Sequence, residues 1–395
     1  LLRVRDIGEQ GLLQRLQAFC PTGIVGDDAA VLNPSPGRSL VVTSDVLVDG
    51  VHFSDRTTTP EDAGWRAAAA NLSDLAAMGA IPLGITVGLA LPGDVAVDWV
   101  DRLYQGMTEC LQHYGTAIVG GDVVRSPILS VAITAFGEAD PNQIIRRNTA
   151  RVGDAIVATG YHGASRAGLE LLLHPELGTS LIADERSALI RAHQRPRPRL
   201  DVLPLLWGTV NSQQSTVNSQ QSAVSSQNVY SELKSPHPTP HTQPPTPSPL
   251  NSPTSPTSPS SLSSSSSSSP LPIAGMDSSD GLADAVIQIC RASKLGAQIM
   301  RDRLPIPPPF KHWLSPEQAL AWILYGGEDF ELVLCLPTNA AEELVQQLGE
   351  GAAVIGTVTA EPEIWLVDSC GHFPNQPLTM EQGFQHFGEE RSAVY

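Results

Sequence analysis

The sequence has no Cys-x-x-Cys pair, and its five cysteines (Cys20, Cys110, Cys290, Cys335, Cys370) are an odd number. That argues against a disulfide scaffold or a zinc site and fits a reduced, cytosolic chain. No apolar run approaches the ~20 residues of a membrane span. No signal-type segment precedes the first motif, although the chain does not begin with Met. A soluble, cytoplasmic protein is expected. Basic charge is also scarce. The formal net charge of −17 argues against nucleic acid or an anionic membrane as the main partner. An acidic protein can still bind a polyphosphate where divalent cations bridge the two sets of negative charge.

The common nucleotide signatures are missing. There is no Gly-x-x-x-x-Gly-Lys-Ser/Thr loop, and neither His-Arg-Asp nor Asp-Phe-Gly occurs. Glu328-Asp-Phe330 is followed by Glu331, within Gly-Gly-Glu-Asp-Phe-Glu. If this chain handles a nucleotide, metal ions must do most of the charge neutralisation. What the sequence does have is a set of five aspartate motifs, each just after or between apolar, β-prone runs. They are Gly23-Ile-Val-Gly-Asp-Asp-Ala-Ala-Val-Leu32, Val42-Thr-Ser-Asp45, Asn71-Leu-Ser-Asp-Leu-Ala-Ala-Met-Gly-Ala80, Gly120-Gly-Asp122 and Met276-Asp-Ser-Ser-Asp-Gly281. Carboxylates and hydroxyls gathered from several strand ends are the hard oxygen ligands that Mg²⁺ takes, usually beside a substrate's phosphates.

At 395 residues the chain is long enough for two domains. Residues 1–20 read as an amphipathic helix, 39–46, 84–91 and 128–137 as strands, and 61–79 and 98–114 as helices. The segment 116–121 reads as a short buried strand ending on glycines. This alternation predicts an α/β (α+β) fold with a boundary near 140–150. Beyond it, 155–159 reads as a strand, and 164–173 and 183–192 as helices. After 271, helices are expected at 281–292, 316–324 and 340–348, strands at 330–336 and 353–358, and a strand edge at 299–301. Residues 209–271 differ in kind. Asn-Ser-Gln-Gln-Ser occurs at 211–215 and 218–222, and Pro/Thr/Ser repeats run on to Ser263–Ser269. Such composition cannot offset its ordering entropy by burial, so a disordered insertion is expected. The expected domains are therefore 1–145, and 146–208 with 272–395.

Each motif also has a plainer reading. Asp27 and Asp28 follow Gly26, as in a Gly-Asp turn. Thr43-Ser44-Asp45 is expected to end a buried strand, where a carboxylate is costly unless paired or metal-bound. Asp74 fits a solvated helix face equally well, and Gly120-Gly-Asp122 fits a hairpin turn. Ser278 or Ser279 would cap the following helix. Capping does not explain two aspartates in each other's field, Asp277 and Asp280, whereas a cation does.

Together these residues resemble the thiamine-monophosphate kinases, of the superfamily that includes aminoimidazole ribonucleotide synthetase. The matching stretches also include Thr43–Phe53, Arg147-Asn-Thr-Ala-Arg-Val-Gly-Asp154 and Gly326-Gly-Glu-Asp-Phe330, and they cover nearly all of the chain outside 209–271. Asn-Leu-Ser-Asp-Leu-Ala-Ala-Met-Gly-Ala is highly specific, and Gly-Gly-Asp alone is not. The resemblance implies a two-domain aminoimidazole-ribonucleotide-synthetase-like fold and a homodimer pairing its N-terminal sheets. It implies several Mg²⁺ ions bridging ATP, held by Asp27, Asp28, Thr43, Ser44, Asp45, Asp74, Asp122, Asp277 and Asp280. Gly121, Asp122, Arg147, Ser279 and Tyr104 would meet ATP. His52, Glu328 and Phe384 would meet thiamine phosphate. Without the resemblance, His52 reads as a buried histidine satisfied by backbone and Phe384 as core.

The chemistry fits such a site. A phosphate monoester has a second pKa of about 6, so its oxygen is already a competent nucleophile at neutral pH and needs no general base. The difficult task is to bring two anions together, which positioning and charge stabilisation accomplish. Direct in-line transfer without a phospho-enzyme is expected. One departure is Asp-Ser-Ser-Asp in place of the more usual Asp-Leu-Ser-Asp. Two other classes remain: a different ATP-dependent enzyme of the superfamily, and a catalytically silent nucleotide-binding module that displays the Ser/Pro stretch to partners. Cys20 lies in no glycine-rich loop and the chain ends Ser-Ala-Val-Tyr395, which disfavours the relatives that use a reactive cysteine.

Overall fold

The computed structural model describes residues 1–25, 29–213 and 272–383. Asp27, Asp28, Phe384 and residues 214–271 of the expected insertion lie outside the described residues. The described part of that insertion, 209–213, is helical, contrary to the disorder expected there.

Helix α1 (Val4–Leu16) bends at Gly8, which has φ 66°. Then come β1 (Ser39–Val48), α2 (Pro60–Ala77), β2 (Ile81–Leu91), α3 (Val97–His113), β3 (Ile118–Arg125) and β4 (Ser130–Ala139). The four strands form one sheet in the order β1-β4-β2-β3. Strand β4 runs antiparallel to both neighbours, and β2 and β3 are parallel across α3. Helix α2 starts on a strong signal: the Thr59 side chain accepts from the Asp62 amide, and Pro60 fills the first turn, where its missing N–H costs nothing. Side chains alternate along each strand, so Ile85, Val87, Leu89 and Ile133 bury one face of the sheet in a core shared with Leu72, Leu75, Leu103 and Met107. On edge strand β1 the alternate side chains Leu40, Val42 and Val46 are about half exposed (51 %, 53 % and 53 %).

A second sheet follows. Its elements are β5 (Ala155–Ala158), α4 (Ala164–Leu173), α5 (Ala183–Gln194), β6 (Ala274–Asp277), α6 (Leu282–Ser293), β7 (Gly296–Met300), α7 (Phe310–Trp313), α8 (Pro316–Tyr325), β8 (Leu332–Leu336), α9 (Thr338–Leu348), β9 (Ala353–Thr359), β10 (Ile364–Val367) and β11 (Gln376–Pro377). The strand order is β11-β10-β7-β9-β5-β8-β6, antiparallel throughout except for β7 with β10. Its buried residues form a separate cluster around Val286, Phe310, Ile323 and Val333. Among the described residues, no helix is long and apolar enough to cross a membrane.

Several expectations need correction. Thr43-Ser44-Asp45 lies within β1, an edge strand, and does not end a buried one. The glycines 120–121 sit inside β3, which continues to Arg125. A Cβ at Gly121 would lie 2.2 Å from the Val87 carbonyl oxygen, so glycine lets β3 approach β2 there. The "edge" at 299–301 is the end of β7, a strand flanked on both sides. Phe330 precedes β8, and strands β6 and β10 were not anticipated. The antiparallel pairing of β6 with β8 sets Asp277 opposite Leu332. That register places two distant motifs, 277–281 and 326–331, side by side.

Candidate active site

Thr43 and Asp45 share the face of β1 that meets α2. Thr43 Oγ1 donates to Asp74 Oδ2 near the C-terminal end of α2. One residue earlier, Ser73 Oγ donates to Asp277 Oδ2 at 2.7 Å, and Ser279 Oγ approaches Asp277 Oδ1 at 3.4 Å. The two sheets thus contribute to one acidic cluster, with α2 as the link. Asp277 is buried, and burial followed by the charge of Asp74 holds its pKa well above the usual carboxylate range. Burial raises Asp74 too, against the Thr43 hydrogen bond and the positive charge of Arg147. Asp45 is pushed up to about 6, by burial first and then by Asp74 and Asp280.

Carboxylates held this way at neutral pH are costly without a counter-charge. The donors are all oxygen, so a hard divalent cation fits them. Among the described residues, no three His, Cys, Asp or Glu side chains already converge as one ion's ligand set. Ser44 points to the opposite face of β1, where its Oγ donates to the Ile133 carbonyl at 2.9 Å. Asp122 is exposed on β3 and accepts from the Val123 amide. With Gly121 and Tyr104 it lines a cavity of about 640 Å³ walled also by Leu13, Ile118 and Phe136. Tyr104 is otherwise a core residue, 4 % exposed, and burial drives its hydroxyl far above the ordinary tyrosine range. Arg147 Nη1 donates to Gln288 Oε1 at 2.6 Å on α6, with its charge felt by Asp74 and Asp277.

The serine cap on α6, the plainer reading of this motif, is not formed. Gly281 is the capping residue and no side chain caps it. Ser278 is instead buried, and its Oγ has no hydrogen-bond partner among the described residues. An orphaned buried hydroxyl costs about 1–3 kcal/mol. Ser278→Ala is therefore expected to stabilise the fold by about 1 kcal/mol with turnover retained, as read by urea denaturation. A lower midpoint would show that the hydroxyl is satisfied after all.

The 326–331 segment is tightly constrained. Glu328 and Phe330 have φ of 65° and 53°, a left-handed conformation that costs a non-glycine residue of order 1 kcal/mol or more. Three contacts hold it. Asp329 accepts from the Gly163 and Ser165 amides at 2.6 and 2.8 Å, capping α4. The Glu328 amide donates to the Ser279 carbonyl at 2.7 Å. The Glu328 carboxylate pairs with Arg66 at 2.6 Å. Asp329 is partly buried and is pushed up to about 7, chiefly by desolvation, despite its two amide donors. Arg66 escaped the sequence reading. The available signal was a lone charge in the Ala-rich run of α2, where a buried guanidinium requires partners.

His52 Nδ1 accepts from the Val48 amide at 3.1 Å, so the neutral ring carries its proton on Nε2. His52 and Glu328 lie near each other, joined through Arg66.

Residues 26–139 match the family described as AIR synthase related protein, N-terminal domain, and residues 269–368 match the corresponding C-terminal domain. The thiamine-monophosphate kinase of Synechococcus elongatus is 46% identical over 383 residues, covering 97% of each chain. The chain belongs to the thiamine-monophosphate kinase family. Two solved structures agree in fold. The thiamine-monophosphate kinase of Stenotrophomonas maltophilia K279a has a TM-score of 0.66 at 29% identity, covering 90% of this chain and 95% of that one. AaThiL complexed with AMPPCP and TMP has a TM-score of 0.61 at 26% identity, covering 93% and 95%. As a thiamine-monophosphate kinase family member, the chain has the expected two AIR-synthase-like halves of mixed α/β structure. The acidic cluster draws on both matched regions, with Asp45 and Asp74 in the first and Asp277 in the second.

Proposed function

We propose that this chain transfers the γ-phosphoryl group of ATP directly to thiamine phosphate, giving thiamine diphosphate and ADP. The observation that carries the proposal is the carboxylate cluster Asp45–Asp74–Asp277, buried at Asp277 and half-buried at the other two, connected through Ser279 to the Glu328 segment. Its relatives point the same way: the 46% identical protein is a thiamine-monophosphate kinase, and AaThiL was crystallised with AMPPCP and TMP.

Thr43, Asp45, Asp74 and Asp277 would hold Mg²⁺, together with Asp27, Asp28, Asp122, Asp280 and Ser44. Ser44 would contribute by its backbone, since its hydroxyl is bonded to β4. When bound, the ions would neutralise the polyphosphate and the charge that develops during transfer. Arg147 and Ser279 would bind ATP oxygens, the former with a planar guanidinium suited to phosphate. Gly121, Asp122 and Tyr104 would border the nucleotide from the β3 side. His52, Glu328 and Phe384 would bind thiamine phosphate. The protonated Nε2 of His52 suits a phosphate oxygen, and the Glu328 carboxylate suits the cationic part of thiamine. No side chain is assigned as a base, because the acceptor oxygen is already ionised.

The same reading divides the chain into 1–145, and 146–208 with 272–395, around the insertion 209–271. It makes the protein a cytoplasmic homodimer. The half-exposed apolar row Leu40, Val42 and Val46 on β1 supports pairing of N-terminal sheets.

Purified protein with Mg²⁺ and ATP is expected to release ADP only when thiamine phosphate is added, and not with thiamine or aminoimidazole precursors. EDTA is expected to stop the reaction. Nucleotide binding without turnover would support the silent module instead, and turnover with an aminoimidazole precursor the other superfamily activity.

A further inference from the structure

Arg66 is 2 % exposed and projects from α2 towards the second half of the chain. Its Nη1 donates to the His193 carbonyl oxygen, with His193 Nδ1 3.4 Å away. Its Nη2 donates to the Glu328 carboxylate at 2.6 Å and to the His52 carbonyl oxygen at 3.3 Å. One guanidinium nitrogen therefore touches both described residues assigned to the acceptor, from segments 276 positions apart in sequence (328 less 52). His193 is itself fixed, with Ser165 Oγ 3.3 Å from its Nδ1, and burial followed by the charge of Arg66 keeps its ring neutral. The buried charge of Arg66 is thus left to Glu328, whose side chain is 26 % exposed and so open to a ligand. Glu328 also sits on a left-handed backbone, a conformation that persists only where its surroundings enforce it.

We propose that Arg66 is a positioning residue of the acceptor site, holding the Glu328 carboxylate and the His52 backbone at the spacing that receives thiamine phosphate. This rests on the functional reading above. Arg66 does not touch substrate. It acts by removing the freedom of two groups that do, so its loss weakens acceptor binding and leaves the nucleotide side intact. The planar fork matters, because one nitrogen serves two acceptors while the other serves a third; a lysine ammonium supplies the charge without that fixed geometry.

Steady-state kinetics of the unmodified protein, Arg66→Gln, Arg66→Lys, Glu328→Gln and the Arg66→Gln/Glu328→Gln double variant test this, each with a thermal melt. Arg66→Gln is expected to raise the KM for thiamine phosphate about 10- to 100-fold, the range for losing a charge-assisted hydrogen bond, with the KM for ATP unchanged. Arg66→Lys should recover part of the loss. The double variant should be no worse than the poorer single one, since both changes break the same contact. Equal rises in both KM values, additive effects, or an unchanged KM for thiamine phosphate would overturn the proposal. If Arg66→Gln does not fold, the lysine variant must still show the split between the two KM values. Absence of turnover in the unmodified protein would remove the functional reading itself, and the Arg66 proposal with it.

Discussion

Asp277→Asn is expected to lower turnover by about 10³-fold, as loss of a group that stabilises transition-state charge does, and yet to raise the melting temperature in Mg²⁺-free buffer at pH 8. Both effects come from one carboxylate. Asp277 is enclosed, and its pKa is raised by burial and by Asp74 and Asp45. Below the ordinary carboxylate pKa the group is protonated in both folded and unfolded states and costs nothing. As pH climbs through the raised folded value, ionisation in the buried site removes stability. Asparagine cannot ionise, and its side-chain oxygen can still accept from Ser73 Oγ. The variant's advantage should therefore grow as pH rises from 5 to 8. Mg²⁺ should reverse the order, because an ion that binds only the folded wild-type protein stabilises it by mass action. Melts with and without Mg²⁺ at both pH values, alongside kcat, check this. A destabilised variant at pH 8 without metal, or near-normal turnover, would remove Asp277 from the metal-binding set.

Gly64→Ala is expected to destabilise the protein by about 3 kcal/mol or more, the upper range for overpacking a core. Helix propensity alone argues the other way, since alanine is favoured over glycine inside a helix by roughly 1 kcal/mol. Packing decides. A Cβ at Gly64 would lie 1.9 Å from the Leu103 carbonyl oxygen, and one at Gly106 would lie 1.8 Å from that of Glu61. These contacts are backbone to backbone, so no side chain can move aside, and α2 and α3 must separate. Helix α2 carries Arg66, Ser73 and Asp74, so activity should fall with stability. Chemical denaturation gives the magnitude; an unchanged or higher midpoint would mean that the helices can separate at little cost.

Helices α2 and α3 were legible in the sequence because apolar residues recur at helical spacing, whereas the Thr59-Pro60 start of α2 was not read from it. The long strands β1, β2 and β4 were legible by their apolar, β-branched content. Strand β6 was not. Its four residues, Ala274–Asp277, are too few for a period to appear, and only pairing with β8 makes them a strand. The orientation of Ser44 follows from alternation along β1, yet a list of oxygen donors does not reveal which face each one takes. The left-handed Glu328 is invisible in the same way: nothing in Gly-Gly-Glu-Asp-Phe says that the residue after two glycines must itself adopt φ of 65°. Arg66 shows the further limit. Its charge was evident in an alanine-rich run, but its partners His52, His193 and Glu328 come from segments that only the fold brings together.

Following the label from ATP marked in its γ-phosphate is the most direct test of the central claim. With Mg²⁺ and thiamine phosphate, the label is expected in the terminal phosphate of thiamine diphosphate, one for each ADP formed, and never on the protein. Label recovered as inorganic phosphate, or retained on the protein as an intermediate, would contradict direct transfer to the thiamine phosphate oxygen.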